Sequence, residues 1–354
     1  MSLRPFYSLM GLMAVLAMAG CGMAGSSNPE PTGQPWRLSD HADRLRAASC
    51  PDGVAFERAP ALTINVVSLD MSGLQPNRHL FGNTRVIGGW ELTSEDPTFG
   101  GLSGLAVYPS GNLLAVSDQG AFIWINIENN APTSAHMAPM LGPSGTALDG
   151  KDVTDAEGVT LADGLALVSF ERSHRIEAFD LEGCGAAARA ARIADLPDQV
   201  YGLSGSMRPT GGAEALSYSP GLKELLIGIE SSGGFGQPMG RFDDAGVAVM
   251  TDRLEAPAEF ALTGLDTARF HPFALFRHYT ARSGNRNIIA YVDGAATPPN
   301  SLVDRVRLDP SVPVDNFEGI AVQNLDTRTQ RIWIVSDDNF SERQRTLIMA
   351  FDIN

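Results

Sequence analysis

The chain is short of lysine and rich in acids. Only two of its 26 basic residues are lysines, Lys151 and Lys223, and 41 acidic residues give a formal net charge of −15. This balance argues against nucleic acid or an anionic membrane surface as the main partner, because both bind clusters of basic side chains. It favours the binding of cations, or of a ligand that a cation helps to hold.

Several common catalytic motifs are also missing. Neither Gly101-Leu-Ser-Gly nor Gly202-Leu-Ser-Gly has the spacing of a nucleophile elbow. A stretch from Gly145 to Lys151 begins like a phosphate-binding loop, but Asp152 stands where Ser or Thr is needed. There is no His-Glu-x-x-His motif, the cysteines are too few for a thiolate zinc site, and no EF-hand spacing occurs. Serine-hydrolase chemistry is therefore poorly supported.

The one long apolar run lies at the N-terminus. Arg4 precedes an apolar stretch from Leu9 to Met18, and Met18-Ala-Gly-Cys21 follows. We interpret residues 1–21 as a signal peptide whose end resembles the bacterial lipoprotein cleavage motif, with Cys21 as the lipidated residue. Gly22, in place of Asp, favours the outer membrane by the same resemblance. The alternatives are an ordinary secretory signal, or an uncleaved anchor too short to span a bilayer comfortably.

Residues 22–50 are interpreted as a flexible tether, because Ser26 to Pro35 are rich in Pro, Gly and Ser. Residues 51–354 are predicted to form a single domain. If Cys21 carries lipid, Cys50 and Cys184 remain as an even pair in an oxidising compartment. We predict that these two cysteines form a disulfide; two free thiols are the alternative.

A unit that recurs about every fifty residues dominates the remaining chain. Each copy has an entry of small and apolar residues, a short apolar strand, a turn, and a second apolar strand that ends in polar or charged residues. The five copies are Gly101–Asp118, Ala156–Arg172, Ala213–Glu230, a degenerate copy Thr263–Arg277, and Phe317–Asn339. A fixed period built from strands is typical of a propeller or a solenoid, and solenoid rungs are usually shorter.

Each unit has room for four strands. In the second copy, apolar runs separated by Gly, Asp and Pro predict strands at 159–161, 165–170, 175–181 and 191–196. The expected fold is an all-β propeller of four-stranded blades, five by repeat count. The C-terminal strand Leu347 to Ile353 lacks an outer neighbour, which Arg85 to Leu92 would supply, so that the two chain ends close the ring. The alternative is a propeller of six blades, in which Thr63 to Leu69 contribute to the sixth.

The inner strands of such a fold face a central channel. Glu157, Glu214 and Glu318 occupy equivalent positions in three copies, with Ser103 and Thr263 in the other two. Three unpaired carboxylates at one axis repel each other, and a hard cation resolves this, since Ca²⁺ accepts six to eight oxygen ligands. We predict a Ca²⁺ site formed by these glutamates and Asp118. The alternatives are backbone capping or Arg pairing, and direct acid/base catalysis.

A second ring is predicted from the ends of the second strands, near one mouth of the channel. Arg172 and Arg277 are candidates for holding a phosphate or carboxylate, with Asp338 and Asn339 also assigned to substrate binding. Candidates for acid/base work are Glu171, Glu230 and His174, with His278 as a further histidine. Salt bridges between blades are the alternative for the arginines, and solvated loop positions for the histidines.

These residues together resemble a known bacterial family. The matching segments are Gly100–Leu105 with Ser117-Asp118, Asp155–Val159, Ser169–Arg172, Asn316–Ala321, Ser336–Phe340 and Gln344–Ile348. They resemble the phytase-like family, also called "esterase-like activity of phytase", over residues 85–354. The resemblance implies a hydrolase related to β-propeller phytases. The fourth copy departs from the family pattern, because Leu275-Phe276-Arg277 stands where Leu-Glu-Arg is usual.

The combined expectation is a monomeric, lipid-anchored propeller of the bacterial cell envelope, on the periplasmic side of the outer membrane. It would bind Ca²⁺ at the channel mouth and hydrolyse a small phosphate ester or, failing that, a carboxylic ester. A non-catalytic binding module for an envelope protein or glycan is the alternative from another class, since fold does not imply function. A sugar-lactone hydrolase is a third possibility, for which no specific residues are found.

Overall fold

The computed structural model describes residues 34–196, 207, 210–230, 236–244, 246–255, 259–268, 271–293 and 301–354. Cys21 and the signal peptide lie outside the described residues, so the lipidation and envelope predictions stay predictions. No helix within the described ranges is both long and apolar enough to cross a membrane.

The described residues form two helices and 22 strands. In chain order they are α1 (Leu38–Ser49), β1 (Ala61–Leu62), β2 (Asn65–Ser68), β3 (Thr84–Thr93), β4 (Leu102–Val107), β5 (Leu113–Ser117), β6 (Ala121–Glu128), β7 (Ala131–Pro139), α2 (Lys151–Thr154), β8 (Ala156–Ala162), β9 (Leu165–Phe170), β10 (Arg175–Phe179), β11 (Ala191–Asp195), β12 (Ala215–Ser219), β13 (Glu224–Gly228), β14 (Gln237–Phe242), β15 (Ala248–Leu254), β16 (Ala261–Ala268), β17 (His271–Thr280), β18 (Gly284–Asp293), β19 (Ser301–Leu308), β20 (Phe317–Asn324), β21 (Gln330–Ser336) and β22 (Thr346–Ile353).

The strands build a five-bladed propeller, which confirms the predicted fold. The sheets run β4-β5-β6-β7, β8-β9-β10-β11, β12-β13-β14-β15, β16-β17-β18-β19 and β20-β21-β22-β3, from the innermost strand outward. All strand pairs are antiparallel. The innermost strands β4, β8, β12, β16 and β20 contact one another in that order, and β20 contacts β4. We number the blades one to five in the same order.

The two ends of the chain close the ring, as predicted. Strand β22 pairs antiparallel with β3, from Thr346 opposite Leu92 to Ile353 opposite Thr84. The segment considered for a sixth blade forms only β2, which adds to the outer edge of blade five by pairing with β3. Strand β1 extends blade one in the same way, by pairing with β7. Both segments therefore widen existing blades.

The hydrophobic core lies between the blades. Five clusters of buried side chains fill the five interfaces between neighbouring sheets. The strands of a blade are thus apolar on both faces, which explains the continuous apolar runs in the sequence, for example in β5 and β9, where every residue is buried. Burial of both faces makes the blades stack as rigid units around the channel.

The segment interpreted as a tether is shorter than predicted. Residues 38–49 form helix α1, in which Leu38, Ala42 and Leu45 are buried against β10 and β11. Directly after this helix, Cys50 forms the predicted disulfide with Cys184, with Cα atoms 5.6 Å apart. The disulfide connects the end of the helix to blade two, so the fixed part of the molecule begins well before residue 51.

Candidate functional site

Five equivalent residues of the inner strands line the channel, and we call them the hub ring: Ser103, Glu157, Glu214, Thr263 and Glu318. In four blades the strand register shifts at this residue, between 102 and 104, 156 and 159, 262 and 264, and 317 and 319. In blade three, Glu214 stands just before β12. A β-bulge re-aims a side chain out of the ladder. The bulges therefore position the hub ring, and the predicted convergence of the three glutamates is confirmed.

Glycines that follow hub-ring residues let the inner strands approach closely. A methyl group added at Gly104 would lie 2.4 Å from the Glu157 carbonyl oxygen, and one at Gly264 would lie 2.6 Å from that of Glu318. The space left on the axis is about 10 Å³, room for about one water molecule or small ion. The hub is thus too narrow for an organic ligand, and chemistry on a larger substrate has to occur at the mouth.

A second set, which we call the mouth ring, ends the second strand of each blade. The backbone N–H of Asp118, Glu171, Glu230 and Asp337 donates to the carbonyl two positions before the hub-ring residue of the same blade, at 2.8 to 3.2 Å. Arg277 is paired with Ala261 at the same position of blade four. In blade five the equivalent residue is therefore Asp337. Asp338 and Asn339, which were predicted for this position, stand one and two residues later.

Three carboxylates form the tightest acidic group. One oxygen each of Asp155, Glu157 and Glu171 lie within 4.8 Å of one another. Asp155 is buried and forms ion pairs with two basic side chains. Lys151 Nζ lies 2.6 Å from its Oδ1, and Arg172 Nε lies 2.7 Å from its Oδ2. The group concentrates oxygen ligands that can bind a metal ion, and the two flanking positive charges can bind an anion.

Glu171 connects this group to blade three. Its Oε1 accepts a hydrogen bond of 2.8 Å from the backbone N–H of Gly212. Desolvation raises the pKa of Glu214, the hub-ring residue of blade three, and the charge of Glu171 adds to that rise. Glu171 therefore links the acidic group of blade two to the hub-ring glutamate of the next blade.

The remaining hub glutamate is paired with an arginine. Arg277 Nη1 lies 3.4 Å from Glu318 Oε1, and Arg277 Nη2 lies 3.9 Å from Glu230 Oε1. Asn316 completes this side, since it accepts a hydrogen bond from Arg277 and donates one of 2.9 Å to Glu318 Oε1. Glu318 and Glu230 are thus partly neutralised, which corresponds to the ion-pair alternative for this half of the site.

Burial raises the pKa values of the three hub-ring glutamates and of Asp337. Desolvation first, then the charges of neighbouring carboxylates, holds the pKa of Glu157 and Glu214 well above the usual range. The pKa of Glu318 is also raised by desolvation, against the opposing effect of Arg277. Desolvation and the charge of Glu318 raise the pKa of Asp337 to about 8. These glutamates keep a little accessible surface only because they face the enclosed channel.

The other predicted residues lie at the edge of the mouth or away from it. Asp338 accepts hydrogen bonds from the N–H groups of Gly101 and Phe340 and from Thr346 Oγ1, at 2.9 to 3.0 Å, so it holds a turn together. Asn339 is exposed in that turn. His174 is buried with its ring against Gly212. His278 hydrogen-bonds the Glu259 carbonyl at 2.9 Å and stacks on Phe260.

Asp118, which was predicted to be a metal ligand, has a basic partner in the structure. Its carboxylate forms an ion pair with Lys151, whose ammonium also binds Asp155. Four residues of the site were not predicted from the sequence: Asp155, Lys151, Asn316 and Asp337. The signal was present for two of them, because Asp155 and Asn316 each stand two residues before a hub glutamate, the same position in the repeat.

Comparisons with known proteins identify a family and several distant structures. The model of the phytase-like family, described as "esterase-like activity of phytase", matches residues 97–340. No curated protein matches the chain. Among solved structures, the PQQ-bound aldose sugar dehydrogenase of Streptomyces coelicolor is 13% identical over 84% of this chain and 100% of its own, with a TM-score of 0.44. The glutaminyl cyclase of Myxococcus xanthus is 14% identical over 77% of this chain and 97% of its own, with a TM-score of 0.43.

At this level of similarity, the two solved structures bear on neither the chemistry nor the ligands of the chain. The family match is of another kind, because it spans most of the propeller, from before the first inner strand to the turn after β21. It also includes both rings of the site. The chain belongs to the phytase-like family, described as "esterase-like activity of phytase".

Proposed function

We propose that this propeller is a metal-dependent hydrolase of phosphate esters or of other esters, acting at the mouth of its channel. One observation carries the proposal: Asp155, Glu157 and Glu171 gather their oxygens within 4.8 Å beside Lys151 and Arg172. Family membership supports a hydrolase, and clustered carboxylates with cations at their rim suit an anionic ester group that a metal ion helps to bind.

The residues present fit a Ca²⁺ ion. Asp155, Glu157 and Glu171 offer only oxygen donors, and Ca²⁺ takes such donors in loose geometry. Glu157 has a pKa raised chiefly by desolvation and secondly by its carboxylate neighbours, a cost that a divalent charge would remove. The set shares only Glu157 with the predicted one: Glu318 is paired with Arg277, and Asp118 with Lys151. Asp155 is itself paired with Lys151 and Arg172, which a bound cation would have to displace. Glu214 lies near Glu171, whose charge adds to the effect of desolvation in raising the pKa of Glu214.

Each remaining residue has a role in the proposal. A bound cation would polarise the phosphoryl or carbonyl oxygen and lower the pKa of a water molecule. Arg172 and Arg277 would hold the anionic oxygens of the substrate, since their side chains are 34% and 26% exposed at the mouth. Glu230 would accept the proton of the attacking water and return it to the leaving group.

Turnover of generic phosphomonoesters and short-chain acyl esters, with Ca²⁺ and with chelator, tests the proposal. We expect Glu157→Gln and Glu171→Gln to lower kcat/KM by about 100-fold or more, since each removes a group that acts at the reacting centre. The matched control is Glu128→Gln, which removes an exposed carboxylate at the end of β6. Equal turnover in all three variants, or no turnover in the parent, contradicts the enzyme proposal.

A second candidate function is a non-catalytic binding module. The pairing of Arg277 of blade four with Glu318 of blade five favours it, because such an ion pair connects blades without any substrate. Thermal unfolding with Ca²⁺ and with chelator separates the two. Ca²⁺ at 100 times its Kd would stabilise the folded state by about 2.7 kcal/mol. A Ca²⁺-dependent gain in the free energy of unfolding of that size, abolished by Glu157→Gln, favours the metal site. An unfolding midpoint that Ca²⁺ and chelator leave unchanged favours structural ion pairs.

We also propose that Cys21 carries a lipid that anchors the protein to the bacterial outer membrane. The apolar run before Cys21 and the residues Met18 to Gly22 support this. Membrane fractionation of cells that produce the parent and Cys21→Ser tests it. The parent should sediment with outer membranes and the variant should be released. Identical distributions of the two proteins contradict the anchor.

A further inference from the structure

A large cavity adjoins the acidic mouth, between blades one and five. Its volume is about 760 Å³, which is within the range of small-molecule sites. Its walls come from the segment after β3, the β5–β6 turn, the end of β7, the loop before α2, and the turn after β21. The hub channel has no such room, so this is a space that an organic group could fill beside the carboxylates.

The chemistry of the walls differs from that of the mouth. Apolar side chains include those of Met137, Leu148 and Phe340. Asp118 is the one ionisable group among the residues that line the cavity in the described part of the chain, and none of these residues is basic. A ligand with many phosphate groups would meet no cation there. An uncharged aromatic or aliphatic group would remove apolar surface from water.

Phe340 is held in place as part of the wall. Its ring lies over the backbone of Gly100 and Gly101, where a methyl group would come within 2.6 to 3.1 Å of its atoms. Asp338 fixes the turn by accepting hydrogen bonds from the N–H groups of both Gly101 and Phe340. The side chain nevertheless keeps 41% of its surface exposed. A preorganised, exposed aromatic ring is suited to stack on a ligand.

Asp118 connects the cavity to the acidic group. Its carboxylate lines the cavity and binds Lys151, whose ammonium is 2.6 Å from Asp155 Oδ1. Asp155 in turn belongs to the proposed metal group. A substrate with its ester at Asp155 and Arg172 would therefore direct the rest of its structure past Asp118 into the cavity.

We propose that the cavity beside Phe340 binds an uncharged aryl or acyl part of the ester, so that the substrates are monoesters with one apolar moiety. This inference rests on the proposed function. A substrate of this class would place its anionic or ester group at the mouth and its apolar group against the walls of the cavity.

Binding of 1-naphthol, which needs no turnover, tests the cavity directly. The full chain, Phe340→Ala and the matched control Phe56→Ala are titrated in the same detergent, so that partitioning of the probe is common to all three. Phe56 is likewise exposed, at 59%, and lines another surface cavity. We expect Phe340→Ala to weaken binding about five- to tenfold, and Phe56→Ala to leave it unchanged. No binding by the parent, or equal binding by all three, overturns the inference.

Hydrolysis of 1-naphthyl phosphate and 1-naphthyl acetate is then compared with that of glycerol 2-phosphate and methyl acetate. We expect Phe340→Ala to lower kcat/KM for the naphthyl esters about tenfold and to leave the small esters unaffected. Equal losses on all four esters overturn the assignment of the apolar part to the cavity. If the parent binds 1-naphthol as expected and hydrolyses none of the four esters, the proposed function fails while the cavity remains a binding site.

Discussion

Lys151 Nζ lies 2.5 Å from Oδ2 of Asp118, an ion pair that joins the start of blade two to the mouth ring of blade one. The same ammonium binds Asp155, so one of the two lysines of the chain serves two carboxylates of neighbouring blades. Desolvation raises the pKa of Asp118, and Lys151 opposes that rise. The lysine is therefore a counter-charge within the acidic mouth.

Replacement of this lysine should destabilise the fold. Lys151→Met leaves the carboxylates of Asp118 and Asp155 without their shared cation, while retaining much of the apolar length of the side chain. Because the side chain of Lys151 is 35% exposed, we expect the free energy of unfolding to fall by only about 1–2 kcal/mol. Urea unfolding measures it. Lys223→Met, at the other lysine, which is exposed in a turn, is the control and should change little. Equal effects would contradict the role given to Lys151.

The stability of the metal-free protein should fall as pH rises through the neutral range. Asp337 has a folded-state pKa of about 8, whereas an unfolded aspartate ionises near pH 4, so the folded state binds more protons between these values. The stabilisation by this proton is fully present below about pH 4 and is lost progressively as pH approaches 8. Chemical unfolding in chelator, measured at intervals from pH 5 to 8.5, should show this decline.

Asp337→Asn mimics the protonated form and can keep the hydrogen bond from the Asn339 N–H. At pH 8 we expect it to stabilise the fold by about 1–3 kcal/mol, and at pH 5 to have little effect. The matched control is Asp326→Asn, in the β20–β21 turn, which should leave the slope of stability against pH unchanged. A parallel pH profile for Asp337→Asn and the parent would refute the assignment.

The close approach of the inner strands makes Gly104 intolerant of a side chain. The methyl group of Gly104→Ala would meet the Glu157 carbonyl oxygen at 2.4 Å and Val116 Cγ2 at 2.7 Å, contacts that force the blades apart. We expect a loss of about 1–3 kcal/mol in thermal or urea unfolding. Gly142→Ala is the control, because its nearest neighbours lie at 3.4 Å and beyond. If the two variants unfold alike, the inner strands are less tightly packed than the structure indicates.

Removal of the disulfide should loosen α1 without dismantling the ring. Cys50 and Cys184 are separated by 134 residues, and cross-linking a long loop stabilises by about 3–5 kcal/mol in the chain-entropy description. The double variant Cys50→Ser/Cys184→Ser should lose stability of that order and show faster proteolysis near α1. Reductant should lower the unfolding midpoint of the parent and leave the double variant unchanged. Sensitivity of the double variant to reductant would point to another cause.

Helix α1 and blade five show where sequence patterns were insufficient. Helix α1 buries only a narrow stripe, led by Leu38, Ala42 and Leu45, and its partners lie on β10 and β11, far along the chain. Its stability comes from that packing, because an isolated helix of this length is marginal in water. Asp338 and Asn339 were predicted for one ring position, and only the pairing of β20 with β21 selects Asp337 in their place.

The sequence alone predicted the five-fold repeat, the closure of the ring by the two chain ends and the disulfide. It also predicted that Glu157, Glu214 and Glu318 meet at the hub. The disulfide was predicted from the count of cysteines. The other features follow from local patterns, because apolar runs and turns repeat with the period of a blade. Only the tertiary structure decided which acids bind cations and which are grouped, for instance Asp118 with Lys151 and Glu318 with Arg277. Such partners come from different blades, and the ångström-scale distances that set their charge states depend on how neighbouring blades pack.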